Sequence, residues 1–444
     1  MTYNESVNLQ DNITLIVEES SELQRFYGLN FKVWVGSQVL YAKSAAEAIE
    51  ILQHKKINLI VSKLKIGETP CSEIIWNEIK NKELETKLIN IGLKKLNEEV
   101  FNLPSALDIQ PLMKTAAKAL SVTPQDMVQL AVPEYFGIDI EYFSFLPRSV
   151  TDVYSKNGEN YELLIEALKD YPKDFIQKIA PDNPKLYVIR NERLKFVNNV
   201  TQELAVQIPE GNLNKDEQLS VNEMSQNLVS EKLKEFGITK ETVELSKRNI
   251  KNMVESCRRF PTLGNLVQRM LRNRSGYLYK HCQLLMYVCS HLMDNIDWGN
   301  EDQKKKINFV CFFHDIVLGR DEQAMIYTEN DLKKSELSDK EKDLVSKHAQ
   351  LAAEIVHKYP HAPMGSDVII RQHHGVTHGI GFAESFTANL SPMTIVFILA
   401  ENFVDSLIRE EGNFDMSAKI REMRERFSTQ RFQKIIDILE ELSV

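Results

Sequence analysis

The chain has 444 residues, 43% of them hydrophobic and 26% charged, with a net charge of -9 at pH 7 and an isoelectric point near 5.7. This length and balance predict a globular protein of two or three domains and exclude collagen-like and low-complexity classes. The acidic charge argues against binding to a nucleic acid polymer or an anionic membrane surface, but it leaves room for a local basic pocket.

The N-terminus and the cysteines indicate the cellular compartment. No basic segment followed by an apolar core opens the chain, and no apolar run reaches about 18 residues, so we expect a cytoplasmic protein without a membrane span. The five cysteines are odd in number and never spaced as C-x-x-C. We therefore expect reduced thiols in the core.

Residues 11–121 alternate between short β-branched runs and amphipathic helical patterns. This rhythm predicts an α/β domain in which helices wrap a parallel sheet. The predicted strands are 13–17, 38–42, 57–62 and 88–92, and the predicted helices lie near 20–33, 44–54, 70–82 and 108–120.

This segment resembles the receiver domain of bacterial response regulators, which has a flavodoxin-like fold. The resemblance places an acidic pair for Mg²⁺ at Glu18 and Glu19, but Ser62 stands where the phosphoacceptor aspartate belongs, and Ser105-Ala106 replaces the Lys-Pro pair. A serine hydroxyl cannot form the acyl phosphate, so we expect a pseudo-receiver with no phosphoacceptor. Such a domain would dock a protein partner, form a homodimer or be kept only for its fold.

The middle of the chain has a different pattern. Short strand-like pieces separated by turns predict a small α+β module over 125–207. Pro, Gly and charged residues without periodicity predict a linker over 208–224, and helical periodicity predicts a nearly all-helical domain over 225–444 that opens with a helical stretch at 222–257. The pieces of the middle module are 142–147, 151–156 and 185–190, with a turn at Asn157-Gly158.

Nine of the ten histidines lie between His281 and His378, among acidic residues. Helical periodicity places the candidates on the inner faces or at the ends of separate helices, so four or five helices each present one or two ligands inward. Histidine is the commonest metal-binding side chain, and this crowding predicts a metal site. The candidates are His281, His314, Asp315, His348, His373, His374, Glu401 and Asp405.

A mixture of imidazoles and carboxylates suits a pair of cations. Two cations roughly 3.5–4 Å apart need a bridging carboxylate and open positions for water, so that a bridging hydroxide can attack phosphorus while both cations hold phosphate oxygens. These ligands favour Fe or Mn, with Zn behind them, over Ca²⁺. The chain lacks the paired cysteines of a structural zinc site.

The region of about 280–410 contains a series of motifs, namely FFHDI (312–316), LSDKEKDLVSKHAQLAAEIV (337–356), VIIRQHHG (368–375), GIGFA (379–383) and LAENFVDSL (399–407). Together they resemble the HD-GYP branch of the HD phosphohydrolase superfamily, whose members hydrolyse cyclic di-GMP. The resemblance implies an all-helical HD domain with a degenerate GYP motif.

The resemblance implies two divalent cations that share Asp315 as a bridge, with His314 and Asp315 as the catalytic pair. Glu401 replaces the family's Asp, and Asp405 on the same helix face could substitute for it. Tyr277 stands where some members have a glutamate for a third metal, so two are expected. The first metal would bind His281, His314, Asp315 and Glu401, and the second His348, His373 and His374.

Other positions depart from the family pattern. Leu318 replaces a lysine close to the scissile phosphate, and losing one such electrostatic contact costs about 10²–10³ in rate. Phe382-Ala383 replaces the Tyr-Pro of the signature, and Val376 and His378 replace an Arg and an Asp. The candidates for substrate binding are Phe382, which could stack on a guanine, Arg371 and His378.

Three functions follow from these motifs. The first is a metal-dependent phosphodiesterase acting on cyclic di-GMP. The second is a catalytically weak or inactive receptor or scaffold that binds cyclic di-GMP, favoured by the lost lysine and phosphoacceptor. The third is a phosphohydrolase of another nucleotide, allowed by the altered GYP region. The ordered ligand set favours an enzyme, because a scaffold has no need of histidines converging on one point.

Overall fold

The computed structural model describes residues 12–92, 94–103, 107, 109–123, 133–146, 148–172, 174–206, 213, 215–272, 275–386, 389–410 and 413–442. The chain divides into two compact units, Met1–Glu217 and Gln218–Val444. Both predicted N-terminal modules, 11–121 and 125–207, fall within the first unit.

A five-stranded parallel sheet forms the first part of the first unit. Its elements are β1 (Ile13–Val17), α1 (Ser21–Asn30), β2 (Gln38–Ala42), α2 (Ala45–His54), β3 (Leu59–Lys63), α3 (Cys71–Asn81), β4 (Lys87–Ile91), β5 (Phe101–Leu103) and α4 (Ile109–Ala119). The strands lie in the order β2-β1-β3-β4-β5. Leu15 and Ile16 point to opposite faces of the sheet and are both buried, so both faces are covered, as continuous apolar strands require.

The α/β layout with a parallel sheet is confirmed. The predicted strand 57–62 lies slightly later, at Leu59–Lys63, and β5 was not predicted, because its three residues are only half-buried and form no apolar run. Ser62 is buried in β3, and its Oγ donates to the Lys63 carbonyl at 3.0 Å. Ser105-Ala106 lies outside the described residues.

A buried ion pair lies beside Ser62. Lys63 Nζ is 3.0 Å from Glu18 Oε2 and donates to Glu18 Oε1 at 3.3 Å, while the backbone N–H of Ser20 donates to the same oxygen. Burial raises the pKa of Glu18, and Lys63 opposes that shift. An internal ammonium therefore neutralises the acidic residue that the receiver resemblance assigns to Mg²⁺.

An antiparallel sheet forms the second part of the first unit. Its elements are β6 (Tyr135–Asp139), β7 (Val153–Asn157), β8 (Asn160–Ile165), α5 (Phe175–Ile179), β9 (Lys185–Ile189) and α6 (Arg193–Ala205), and its strand order is β6-β9-β7-β8. The hairpin between β7 and β8 turns at Gly158, whose φ of +60° is accessible to glycine at little cost. This part of the first unit therefore combines an antiparallel sheet with helices.

The strand predicted over 142–147 is wrong. Residues Ile140–Phe145 form a 3₁₀ helix that follows β6, and Tyr142 and Phe143 are both buried. Aromatic residues favour strands only where they fit a pleated surface, and here adjacent rings pack into the core from a helical turn. The two sheets belong to one unit through contacts such as Asn30 Nδ2 to Thr201 Oγ1 at 3.0 Å and Lys32 Nζ to Asp139 Oδ2 at 2.7 Å.

Helices account for every element described from Lys215 onward, which confirms the predicted helical C-terminal region. They are α7 (Lys215–Phe236), α8 (Lys240–Arg258), α9 (Leu263–Arg272), α10 (Tyr277–Asn295), α11 (Glu301–Phe313), α12 (Asp321–Ala324), α13 (Glu329–Lys334), α14 (Asp339–His357), α15 (Ser366–Gln372), α16 (Pro392–Arg409), α17 (Met416–Arg426) and α18 (Gln430–Glu440). None of the described helices has the length and apolarity needed to cross a membrane.

The loop predicted for 208–224 is wrong from Lys215 onward, where α7 begins. Asp216 and Glu217 lie in the first turn of the helix, where negative charge is favourable, and Leu219 is fully buried. The predicted helical stretch 222–257 consists of two helices, because Gly237 adopts a left-handed φ of +69° and ends α7.

We predict that Lys63→Met removes roughly 3–5 kcal/mol of stability from the first unit, because Glu18 is left buried without its cationic partner. The free energy of unfolding is measured by urea titration with tryptophan fluorescence. In a Trp298→Phe background, the remaining tryptophans, Trp34 and Trp76, both lie in the first unit.

The double variant Glu18→Gln/Lys63→Met is expected to recover most of that loss, since a neutral amide needs no cation. Lys65→Met is the control, because it removes an exposed lysine and should change stability by less than about 0.5 kcal/mol. A parent-like free energy of unfolding for Lys63→Met would show that the ion pair does not stabilise the unit.

Candidate metal centre

Five helices bring the candidate ligands of the second unit together. His281 lies on α10, His314 and Asp315 follow the end of α11, and His348 lies on α14. A capping box between Ser338 and Glu341 fixes the start of α14. The remaining candidates are His373 and His374 after α15 and Glu401 and Asp405 on α16.

The nitrogen and oxygen atoms form two triads. His281 and His314 approach through their Nε2 atoms at 3.1 Å and form the first triad with Asp315. In the second triad, His348 Nε2 lies 3.1 Å from His373 Nε2 and 2.9 Å from His374 Nε2. All six residues were predicted from the sequence as metal ligands, and the structure brings all six together.

Asp315 lies between the triads. Its Oδ2 is 3.4 Å from His314 Nε2, and its Oδ1 is 3.3 Å from His348 Nε2. Burial alone would raise the pKa of Asp315, but the neighbouring imidazoles of His314, His348 and His281 outweigh burial and hold the pKa well below its usual value. One carboxylate can therefore offer one oxygen to each triad.

Backbone carbonyls define the tautomers of three histidines. The Nδ1 atoms of His314, His348 and His373 lie 2.9, 2.5 and 2.6 Å from the carbonyl oxygens of the residues three positions earlier. A carbonyl can only accept, so each Nδ1 carries a proton, and in a neutral ring the Nε2 atom then presents a lone pair. The lone pairs converge on each other, and a cation between them would remove their mutual repulsion.

The spacing of the Nε2 atoms matches the ligands of a metal ion. Two nitrogen ligands with bonds of about 2.1 Å at right angles lie about 3.0 Å apart. The separations of 2.9–3.1 Å within the triads agree with this geometry. The residues present therefore fit a cation in each triad.

Burial also keeps the second triad in the form that binds metals. Burial lowers the pKa of His348, and burial together with neighbouring histidines holds the pKa values of His373 and His374 well below the usual value. Neutral imidazole is the metal-binding form of histidine.

Asp405 orients His281. Its Oδ1 lies 3.0 Å from His281 Nδ1, and it accepts a hydrogen bond from the Tyr277 hydroxyl at 3.2 Å. Burial lowers the pKa of His281, but Asp405 and Asp315 outweigh burial and the net shift is upward. A carboxylate behind a metal-binding histidine fixes the ring and raises its basicity, so we infer that Asp405 positions His281.

Glu401 lies close to the second triad, with its Oε1 3.8 Å from His373 Nε2. The sequence assigned it to the metal held by His281, and Glu401 also lines the small cavity that His281 and Asp315 line. One helical turn separates Glu401 from Asp405, and it is Asp405 that reaches His281. Burial and the carboxylates of Asp405 and Asp315 raise the pKa of Glu401 well above its usual value, and a nearby cation would favour its charged form.

Two cavities adjoin the triads. The smaller, of about 10 Å³, holds the centre of about one water molecule and is lined by members of both triads, including His281, Asp315 and His348. The larger pocket, of about 220 Å³, begins at His373 and His374 and continues along α16. It is a route by which a ligand could reach the triads.

The three predicted substrate-binding residues have different positions. Phe382 lines the larger pocket, and its ring centroid lies 4.5 Å from that of His374. Arg371, on α15, is half-buried and is not part of the pocket lining. His378 is exposed, and its Nδ1 accepts the backbone N–H of Ile380 at 3.1 Å. Only Phe382 is therefore placed by the structure next to the candidate centre.

Sequence reasoning missed three residues that line the larger pocket, namely Tyr327, Arg409 and Arg426. The sequence could have identified Arg409, because it follows Glu401 and Asp405 at intervals of four residues and therefore lies on the same helix face. Tyr327 and Arg426 lie outside the motifs, and only the packing of distant segments brings them to the pocket.

Comparison with known proteins gave one structural similarity. No family model and no curated protein matches the chain. A solved structure, Bd1817, an HDG"Y"P protein from Bdellovibrio bacteriovorus, aligns over 69% of this chain and 99% of its own length, with 15% sequence identity and a TM-score of 0.37. The function of the site is therefore interpreted from its own geometry.

We predict that Asp315→Ala removes metal from both triads, whereas His281→Ala and His373→Ala each remove metal from one. The parent should contain about two metals per chain, the single-triad variants about one and Asp315→Ala close to none. Elemental analysis of protein purified without added metal gives the content.

The matched control is His357→Ala, because His357 is exposed and belongs to neither triad. Its metal content should equal that of the parent. In the Trp298→Phe background, fluorescence of Trp34 and Trp76 checks that the first unit stays folded in each variant. Two metals retained by Asp315→Ala would refute the shared site.

Proposed function

We propose that the second unit is a metal-dependent phosphodiesterase that hydrolyses cyclic di-GMP. The observation that carries this proposal is the pair of triads that share Asp315, in which the histidine Nε2 atoms lie 2.9–3.1 Å apart. A shared carboxylate suits two cations held close together, which is the arrangement used for in-line displacement at phosphorus. The motifs shared with the HD-GYP branch support cyclic di-GMP as the substrate.

The residues of the chain have distinct tasks in this proposal. His281 and His314 would hold one cation and His348, His373 and His374 the other, with Asp315 between them. When bound, the cations would supply positive charge to the phosphate oxygens and lower the pKa of a water molecule. Fe or Mn suits this ligand set better than Zn.

Asp405 would keep the His281 ring in place through its Nδ1. Phe382 packs beside His374 at the entrance and can cover a planar group of the substrate. Because Glu401 lies on the side of the pocket, it can join the second cation or accept a proton from water there.

One feature favours a second candidate, a receptor that binds cyclic di-GMP and turns it over slowly or not at all. Leu318, which replaces the family's lysine, is buried and packs with Leu332, Val345 and Phe382. A lysine could not replace Leu318 without disrupting this apolar cluster. Without that cation, turnover should be slower by about 10²–10³.

We predict that protein loaded with Fe or Mn converts cyclic di-GMP to the linear dinucleotide or GMP, detected by chromatography of the products. Asp315→Asn and His348→Ala should lower the rate by at least about 10³, because each removes a ligand of the cations. His357→Ala, outside both triads, should keep the parent rate.

The alternatives give different results. Two metals with tight binding of cyclic di-GMP but no product would support the receptor. Two metals with hydrolysis of another nucleotide ester but not of cyclic di-GMP would indicate a different substrate. Protein that binds no metal under any loading condition would exclude the phosphodiesterase.

A further inference from the structure

The larger pocket beside the candidate metal centre has charged groups of opposite sign along one helix. Glu401, Asp405 and Arg409 follow each other at intervals of four residues on α16 and all line the pocket. Glu401 and Arg409 are therefore about 12 Å apart along the helix axis. The acidic side chains lie beside the triads, and the arginine lies at the end of the helix farther from them.

Arg409 lies over an aromatic ring. Its guanidinium carbon lies 4.0 Å from the ring centroid of Tyr327, and its Nε donates to the Asp405 carbonyl at 3.4 Å. Among the described residues it forms no ion pair with a carboxylate. Stacking orients the guanidinium and leaves its other N–H groups available, as in sites that bind phosphate.

Arg426, on α17, reaches the same pocket in a similar manner. Its guanidinium carbon lies 5.3 and 5.4 Å from the ring centroids of Phe386 and Phe427, and it too lacks a carboxylate partner within the described part of the chain. Arg424 on the same helix contacts Asp437 and Glu440 at 2.8 and 2.7 Å instead. Carboxylates are thus within reach of this helix, yet Arg426 lies over aromatic rings at the pocket.

We propose that Arg409 and Arg426 bind a second phosphate of the substrate while the first phosphate lies at the triads. This inference rests on the proposed function and deepens it, since it names the substrate class as diesters with two phosphate groups joined to planar bases. The geometry points to a dinucleotide over a cyclic mononucleotide, which has a single phosphate and would leave the arginines without a ligand.

The composition of the pocket supports this substrate class. Two guanidinium groups supply charge and paired donors for phosphate, while Phe382 and Tyr327 supply aromatic surface near the planar bases. The net charge of the chain is -9, so a local cationic site is needed to attract a dianionic ligand.

The test compares cyclic di-GMP with 3′,5′-cyclic GMP, which has the same base and one phosphate. Dissociation constants are measured by titration calorimetry on the metal-loaded full chain, with KM from product formation where turnover occurs. The parent should bind cyclic di-GMP more tightly, and Arg409→Ala or Arg426→Ala should each weaken its binding about 10- to 100-fold. The affinity for cyclic GMP should fall much less.

Arg421→Ala is the matched control, because Arg421 is exposed on the same helix as Arg426 and does not line the pocket. It should bind both nucleotides as the parent does. Arg409→Lys and Arg426→Lys keep the charge but lose the planar fork, so they should fall between the parent and the alanine variants. Thermal unfolding of every variant separates lost binding from lost folding.

Two results would overturn the inference. One is a parent that binds cyclic GMP as tightly as cyclic di-GMP, and the other is an unchanged preference in the variant with both arginines replaced by alanine. Failure of the proposed function is a separate result. A parent that hydrolyses neither nucleotide nor bis(p-nitrophenyl) phosphate would contradict the phosphodiesterase. The binding measurements on the same protein would still show whether the arginines bind the second phosphate.

Discussion

The carboxylate of Asp315 is the group on which the second unit depends, since it lies within hydrogen-bonding range of imidazoles from two separate triads. A buried carboxylate is costly unless positive charge or hydrogen bonds compensate it. The imidazoles of His314 and His348 lie 3.4 and 3.3 Å away, and their neighbours are buried and neutral. Bound cations would complete this compensation, so folding of the unit and binding of metal would be coupled.

The same requirement explains how the helices around Asp315 are arranged. His314 and His373 follow the last turns of their helices, and each points Nδ1 at the carbonyl three residues earlier. This turns His314 Nε2 toward Asp315 and His373 Nε2 toward His348. Phe397, on α16, packs edge-on against both rings, with centroids 5.2 and 6.0 Å away. Apolar packing therefore holds the rings in the orientation that the local hydrogen bonds define.

The two units differ in what surrounds a buried carboxylate. In the first, the Lys63 ammonium neutralises Glu18 from within the chain. In the second, the buried carboxylate of Asp315 lies beside the imidazoles of His314 and His348, and a bound cation would neutralise it. The larger pocket beside the triads also contains positive charge, because Arg409 and Arg426 line it and lie over aromatic rings. The first carboxylate is paired within the chain, whereas the second belongs to a group of residues that could hold a metal ion.

The sequence by itself determined the parallel sheet, the helical second unit and the six residues of the triads, because periodicity decides which face of each element is buried and histidines on those faces must converge. It could not place the contact of Asp405 with His281, the position of Glu401 beside His373, or Arg409 against Tyr327. These contacts join residues far apart in the chain, and they depend on the angles and registers at which whole helices pack. The 3₁₀ helix at Ile140–Phe145 and the helical start at Lys215 were likewise decided by burial in the tertiary structure, which overrides the local preference of an aromatic or charged segment.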